Sequence, residues 1–284
     1  MRISMTGTTA AAAAVALVLA GCGQKDAASA QPGAVETAPG AGAVALTDRP
    51  DLSATAKALP RLVGAGPEVT RINADLDRMD AQAAEDLKAC NKDAGGQGEW
   101  NRWITRPMTG PSYVTLRVHS DIYCGGAYPS TDQTAVTYDL STGERVDWAK
   151  AIPGLSLTSD SLEDMPQGYV PNVSSTALSA FYSRKMLANT DKEWLDQCRD
   201  VFTPEAMDGQ SFKIWADGEG GGVTVSPDLA HVVQACADSA TLTAADLQGF
   251  NADPRLIQAL TAAKAAHNWD DGEDDTTPTE APTT

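Results

Sequence analysis

The sequence predicts an α+β fold in which helices pack on antiparallel sheet and two disulfides staple the domain. Three observations carry that expectation. Between residues 113 and 124 the side chains alternate. Val114, Leu116, Val118, Ile122 and Cys124 fall on one side, and Tyr113, Thr115, Arg117, His119, Asp121 and Tyr123 on the other, the period of two that marks a half-buried antiparallel strand. Val136, Tyr138 and Leu140 repeat the pattern beyond a Gly125-Gly126 corner. Further upstream, Ile72, Leu76, Met79, Ala83, Leu87 and Cys90 form one stripe of a 3.6-residue period, as on a helix with a single buried face. Finally, Cys90, Cys124, Cys198 and Cys236 make an even set in a chain that starts like an exported protein, where disulfides are the natural reading.

Taken from the beginning, Arg2 precedes an apolar run over residues 10–20 that closes in Leu19-Ala20-Gly21-Cys22. A basic start, a short apolar segment and small residues at its end are the parts of a secretory signal. The run is too short for a comfortable membrane span. Leu-Ala-Gly-Cys resembles the lipobox of bacterial lipoproteins. That resemblance implies removal of residues 1–21, lipidation of Cys22, and a lipid anchor in the membrane of a cell envelope. Gly23 rather than Asp after the cysteine favours the outer membrane, with the domain facing the periplasm, by the sorting rule of enteric bacteria. Residues 22–51 are rich in Ala, Gly, Pro and Ser and read as a flexible linker that lifts the domain off the lipid.

The domain itself is expected in two halves, 52–108 and 109–266. In the first, Pro60 interrupts a short extended piece, Pro67 suits the first turn of the long helix, and Gly95-Gly96 ends it. Residues 99–108, with Trp100, Trp103 and Ile104, begin the sheet. In the second, Asp139-Leu140-Ser141-Thr142-Gly143 turns the chain, with Gly143 suited to a left-handed position that a side chain would oppose. A helix starts at Trp148. Residues 173–195 read as a second long helix capped by Ser174 or Ser175, burying Leu178, Phe181, Tyr182, Met186 and Leu187. Residues 212–215 and 222–225 form a hairpin around a Gly-rich turn. Residues 229–236 are either helix or an irregular edge. Thr243 and Asp246 resemble a capping box, and Asp253-Pro254 opens a last helix running to about Ala265. Residues 267–284 form an acidic tail of Asp, Glu, Thr and Pro without the alternating ligands of a calcium loop.

Four cysteines allow three pairings. Cys90 on the helix stripe and Cys124 on the apolar strand face favour Cys90–Cys124, leaving Cys198–Cys236. Each loop is roughly 35 residues, so each bridge contributes roughly 3–4 kcal/mol on the chain-entropy model. The absence of any CxxC argues against zinc and redox roles, so neither a metal nor a cofactor is expected. The net charge of −17 disfavours nucleic acid and attracts basic partners. No nucleophile elbow, zinc-protease helix, phosphate loop or dinucleotide fingerprint is present. His119, with Arg117 and Asp121, sits on the outward strand face, which reads as solvated. His231, in the apolar run Ala230-His231-Val232-Val233, reads as a packed, hydrogen-bonded residue rather than a base. Tyr113, Tyr123, Tyr128, Trp100 and Trp103 form a candidate aromatic shelf for sugar, and Asp217-Gly218-Glu219 brings two carboxylates to a hairpin tip.

The run Gly125-Gly126-Ala127-Tyr128-Pro129, followed by residues 136–148 (VTYDLSTGERVDW), resembles the RsiV-like/PdaC-like extracytoplasmic domains. That bacterial family is shared by a lysozyme-sensing anti-sigma factor and a peptidoglycan deacetylase, and the likeness extends over residues 52–250. It implies a binding module without catalysis of its own. Tyr128 stands where the family often has His. The expectation is therefore a non-catalytic envelope lipoprotein that binds a cell-wall glycan such as peptidoglycan, or a protein such as a lysozyme. Tyr123, Gly125, Gly126, Tyr128 and Pro129 are its candidate ligand contacts. The alternatives are a glycan-acting enzyme using Asp121 and Glu219, and a structural lipoprotein without a ligand.

Overall fold

The computed structural model describes residues 42–270. The expected signal peptide, the expected lipidation site Cys22, most of the expected linker and most of the acidic tail lie outside the described residues. The chain runs through β1 (Leu46–Thr47), β2 (Arg61–Leu62), α1 (Pro67–Asp93), β3 (Glu99–Thr109), β4 (Tyr113–Tyr123), β5 (Ser130–Asp139), β6 (Glu144–Arg145) and α2 (Trp148–Ala151). It continues through β7 (Thr158–Ser159), β8 (Val173–Ser174), α3 (Thr176–Leu187), α4 (Lys192–Cys198), β9 (Phe212–Asp217), β10 (Gly222–Pro227), β11 (Ala240–Leu242), α5 (Ala244–Gly249) and α6 (Pro254–Ala266). All strand pairs are antiparallel. They build a four-stranded sheet, β3-β4-β5-β6, a five-stranded sheet, β11-β10-β9-β8-β7, and a small β1-β2 ribbon.

The helix stripe packs as its spacing requires. Ile72, Leu76 and Met79 of α1 bury against Val114, Leu116, Val118, Val136 and Tyr138 on one face of the four-stranded sheet. A second core lies on the far side of the five-stranded sheet. There Ile214, Ala216, Val223 and Val225 meet Leu178, Phe181 and Tyr182 of α3 and Leu256, Ala259 and Leu260 of α6. Between the sheets the contacts are largely polar. Thr115 and Thr137 share a buried hydroxyl hydrogen bond of 2.9 Å, Thr137 Oγ1 accepts from Ala216 N at 3.2 Å, and Gln133 Nε2 donates to Ser226 Oγ at 2.8 Å.

That interface corrects one expectation. The face carrying Thr115, Arg117 and His119 is not a solvated strand face, because the five-stranded sheet covers it. Alternation alone shows that a strand has two unlike faces; Thr and Arg serve a polar sheet–sheet contact as well as they serve water. The second long helix is also corrected. It breaks at Ala188, and Asp191 starts α4 by accepting from Trp194 N at 3.1 Å. Leu187 is left exposed. Residues 42–50, read as the end of the linker, join the domain instead: β1 pairs with β2, and Val44 N donates to Thr109 O. The expected boundary at residue 108 falls inside β3. At the start of the tail, Asp270 and Arg106 exchange backbone hydrogen bonds.

Several local readings are found as expected. Ser175 caps α3, accepting from Leu178 N at 3.0 Å. Thr243 and Asp246 form a reciprocal capping box, and Asp253 caps α6. Gly143 has φ 71, and a Cβ there would stand 2.5 Å from Glu68 O. The ambiguous stretch before Cys236 is a 3₁₀ segment, His231–Cys236. Both disulfides form in the favoured pairing, closing loops 34 and 38 residues apart in sequence.

Charged groups tie these layers together. Asp80, Arg61 and Arg102 are all buried. Asp80 accepts from Arg61 at 2.9 Å, from Arg102 at 3.2 Å and from Leu59 N at 3.1 Å, so α1, β2 and β3 meet at one carboxylate. Asp75 accepts from Arg145 at 2.6 Å and Tyr138 Oη at 2.7 Å. Burial pushes its carboxyl up, but those two hydrogen bonds and the Arg145 charge outweigh it and hold the carboxyl below the usual range.

Candidate functional site

The corner joining β4 to β5 brings the sequence-predicted contacts together. Gly125 adopts φ 86, and a Cβ there would lie 2.9 Å from Ala94 Cα, so only glycine lets the chain pass the end of α1 this closely. Cys124, one residue earlier, is bonded to Cys90 on that same helix. The far limb of the corner is held by the 3₁₀ segment. His231 Nε2 donates to Pro129 O at 3.2 Å, and Gln234 Nε2 donates to Thr131 O at 2.8 Å. The second disulfide, Cys198–Cys236, fastens that segment to the end of α4. One bridge thus secures the corner directly and the other secures its clasp.

Two apolar side chains stand out from this clasped unit. Tyr128 is 77% exposed and Val232 is 90% exposed. Neither is needed for packing. Pro129, Gly125 and Gly126 are exposed beside them, while Tyr123 is half-buried. The segments meeting here also carry the exposed acids Asp93, Glu99, Asp121 and Asp132, against Lys92. Sequence reasoning did not find Val232 or the clasp, because His231 and Gln234 are about a hundred residues from the carbonyls they bind.

The expected aromatic shelf is not assembled as read. Tyr113 is buried, with the Arg255 guanidinium 5.1 Å from its ring, and Trp100 is half-buried. Trp103 instead lies beside His119, Trp215 and Trp269 along a groove between the sheets. Glu219 lines this groove, whereas Asp121 lines a neighbouring hollow on the other side of His119. The two carboxylates of the enzymatic alternative therefore lie in different compartments. Among the described residues no cluster of three or more His, Cys, Asp or Glu is placed to hold a metal ion, and no helix is long and apolar enough to cross a membrane.

Fold and site together define a disulfide-bonded α+β domain with an exposed corner that cross-loop hydrogen bonds clasp. No family model matches the sequence, and no curated protein does. A DUF3298 family protein from Pseudomonas aeruginosa PAO1 is a structural neighbour at 14% identity. The match covers 69% of this chain and 84% of that one, with a TM-score of 0.36, a level that assigns neither fold nor function.

Proposed function

We propose that this protein is a non-catalytic, lipid-anchored binding domain of the cell envelope, facing the periplasm, whose Tyr123–Pro129 corner engages a basic protein of the lysozyme kind. The observation that carries this reading is the exposure of Tyr128 and Val232 on a loop pair that two disulfides and two cross-loop hydrogen bonds hold still. A prearranged aromatic anchor loses little freedom on binding, and an acidic rim steers a cationic partner. The disulfides suit an oxidising compartment, in keeping with the lipobox at Cys22. A cell-wall glycan is the second partner class, favoured by the tryptophans in the groove beside the corner.

The test uses the purified chain and immobilised lysozyme. Retention at low salt is expected, weakening as salt rises and falling about tenfold with Tyr128→Ala. No retention of the wild-type chain would discard the protein-partner reading. Cys22→Ser should move the protein from the membrane fraction to the soluble one; unchanged membrane retention would remove the lipid anchor from the account.

A further inference from the structure

The two sheets leave a groove of about 440 Å³ open at one edge of their interface, on the range of small-ligand sites. Trp103 of β3 forms one part of its lining and is 43% exposed. Trp269, after α6, forms another and is half-buried. Each indole is backed by a histidine. Trp103 stacks on His119 with centroids 5.0 Å apart, and Trp269 stacks on His267 at 4.3 Å. Trp215 lies deeper, with the Arg117 guanidinium 4.6 Å from its ring centroid. A neighbouring hollow of about 290 Å³ also borders Trp103 and His119, so ligand space continues along both sides of this stacked pair.

We infer that the groove binds a neutral oligosaccharide, with sugar rings laid against Trp103 and Trp269. Pyranose rings combine an apolar C–H face with a rim of hydroxyls. The C–H face suits an indole that is already braced. The hydroxyl rim meets groups that accept and donate: Asp217, Glu219, Thr241 and Ser239 on one side, Asp121, Asp228 and Gln234 on the other. These groups are partly arranged in advance, since Thr224 Oγ1 donates to Asp217 at 2.6 Å and lies 2.7 Å from Thr241 Oγ1. The six carboxylates along the lining outnumber its two cations, Arg117 and Lys213, which disfavours phosphate, sulfate and uronic acid ligands. A polar sheet–sheet interface also explains why the edge stays open, because polar walls gain little by collapsing on each other.

This inference deepens the glycan half of the proposed function and rests on it for the setting, but not on the corner. The test titrates the purified full chain with chitotetraose and cellotetraose, and with a sulfated tetrasaccharide as the anionic comparison. It follows tryptophan fluorescence and heat of binding. A saturable change with at least one neutral sugar is expected. Trp103→Ala should weaken it about tenfold and Glu219→Gln measurably. Glu219 is exposed, so Glu219→Gln should melt as wild type does, whereas Trp103→Ala loses its stack on His119 and should melt lower while circular dichroism shows it still folded at the assay temperature. Tyr128→Ala should leave sugar binding unchanged, just as Trp103→Ala should leave lysozyme retention unchanged. No binding of either neutral sugar at millimolar concentration, binding that survives Trp103→Ala, or tighter binding of the sulfated sugar would each overturn the inference while leaving the corner reading intact.

Discussion

Trp103 lies almost flat on His119, their ring planes 8° from parallel. The stack joins β3 to β4 at the register pair Trp103–His119 and places an imidazole between an indole and the Arg117 end of the groove. His119 also lies 3.2 Å from Thr105 Oγ1.

Burial, and then the charge of Arg117, lower the His119 pKa from 6.5 to about 4. The unfolded chain therefore takes up a proton near pH 6.5 that the folded chain refuses until about pH 4. The stability held in the neutral ring is complete above pH 6.5 and is lost as pH falls through that window. Asp217, Glu219 and Asp270, which line the same groove, do not reverse the direction. After allowance for partial exposure the loss should be roughly 1–2 kcal/mol. Urea unfolding at pH 7 and pH 4.5 measures it, and His119→Gln should flatten the slope between those values.

Asp80 is the carboxylate on which three elements converge. Asp80→Ala leaves Arg61, Arg102 and the Leu59 N–H buried around a missing partner, and should cost roughly 3–5 kcal/mol. Equilibrium denaturation should show the change in midpoint. Replacing Asp77, which pairs with Arg61 at 2.7 Å but is exposed, should cost under about 1 kcal/mol.

Gly143 combines a left-handed φ with the backbone of Glu68 directly over it. Gly143→Ala meets both obstacles at once and should cost roughly 1–3 kcal/mol. The thermal midpoint should fall. Gly209 also has a positive φ, yet open space surrounds it, so Gly209→Ala should fall less.

Removal of the Cys198–Cys236 bridge by a double Ser substitution should lower stability by roughly 3–4 kcal/mol on the chain-entropy model. Its local effect is more diagnostic. Amide exchange should quicken in His231–Cys236 and in the corner that this segment clasps, more than in α1. If the 3₁₀ segment exchanges faster while residues 125–131 do not, the clasp does not depend on that bridge.

Much of the architecture could be read from residues. Alternation located β4 and β5, the Ile72–Cys90 stripe oriented α1, and the caps at Ser175, Thr243 and Asp253 marked three helix starts, because each signal depends on neighbours a few residues away. The disulfide pairing was legible for a related reason: Cys90 and Cys124 each lay on an apolar face, and those faces had to meet. The break at Ala188 was missed because apolar spacing continues through it while Asp191 competes for the backbone. Arg117 and His119 read as solvated because no local pattern distinguishes a polar face that meets solvent from one that meets another sheet.

The sequence by itself determined the class of fold, the periods of its main elements and the position of the glycine corner, and it favoured one pairing of its sulfurs among three. Those follow from short-range sterics and from the need to bury apolar stripes. Only the tertiary structure decided that β1 joins the domain, that the two sheets meet through polar side chains, that His231 and Gln234 clasp the corner, and that Trp103 and Trp269 share one groove. Each of these brings together residues far apart in the chain, and such meetings are set by how whole layers stack rather than by the residues on either side.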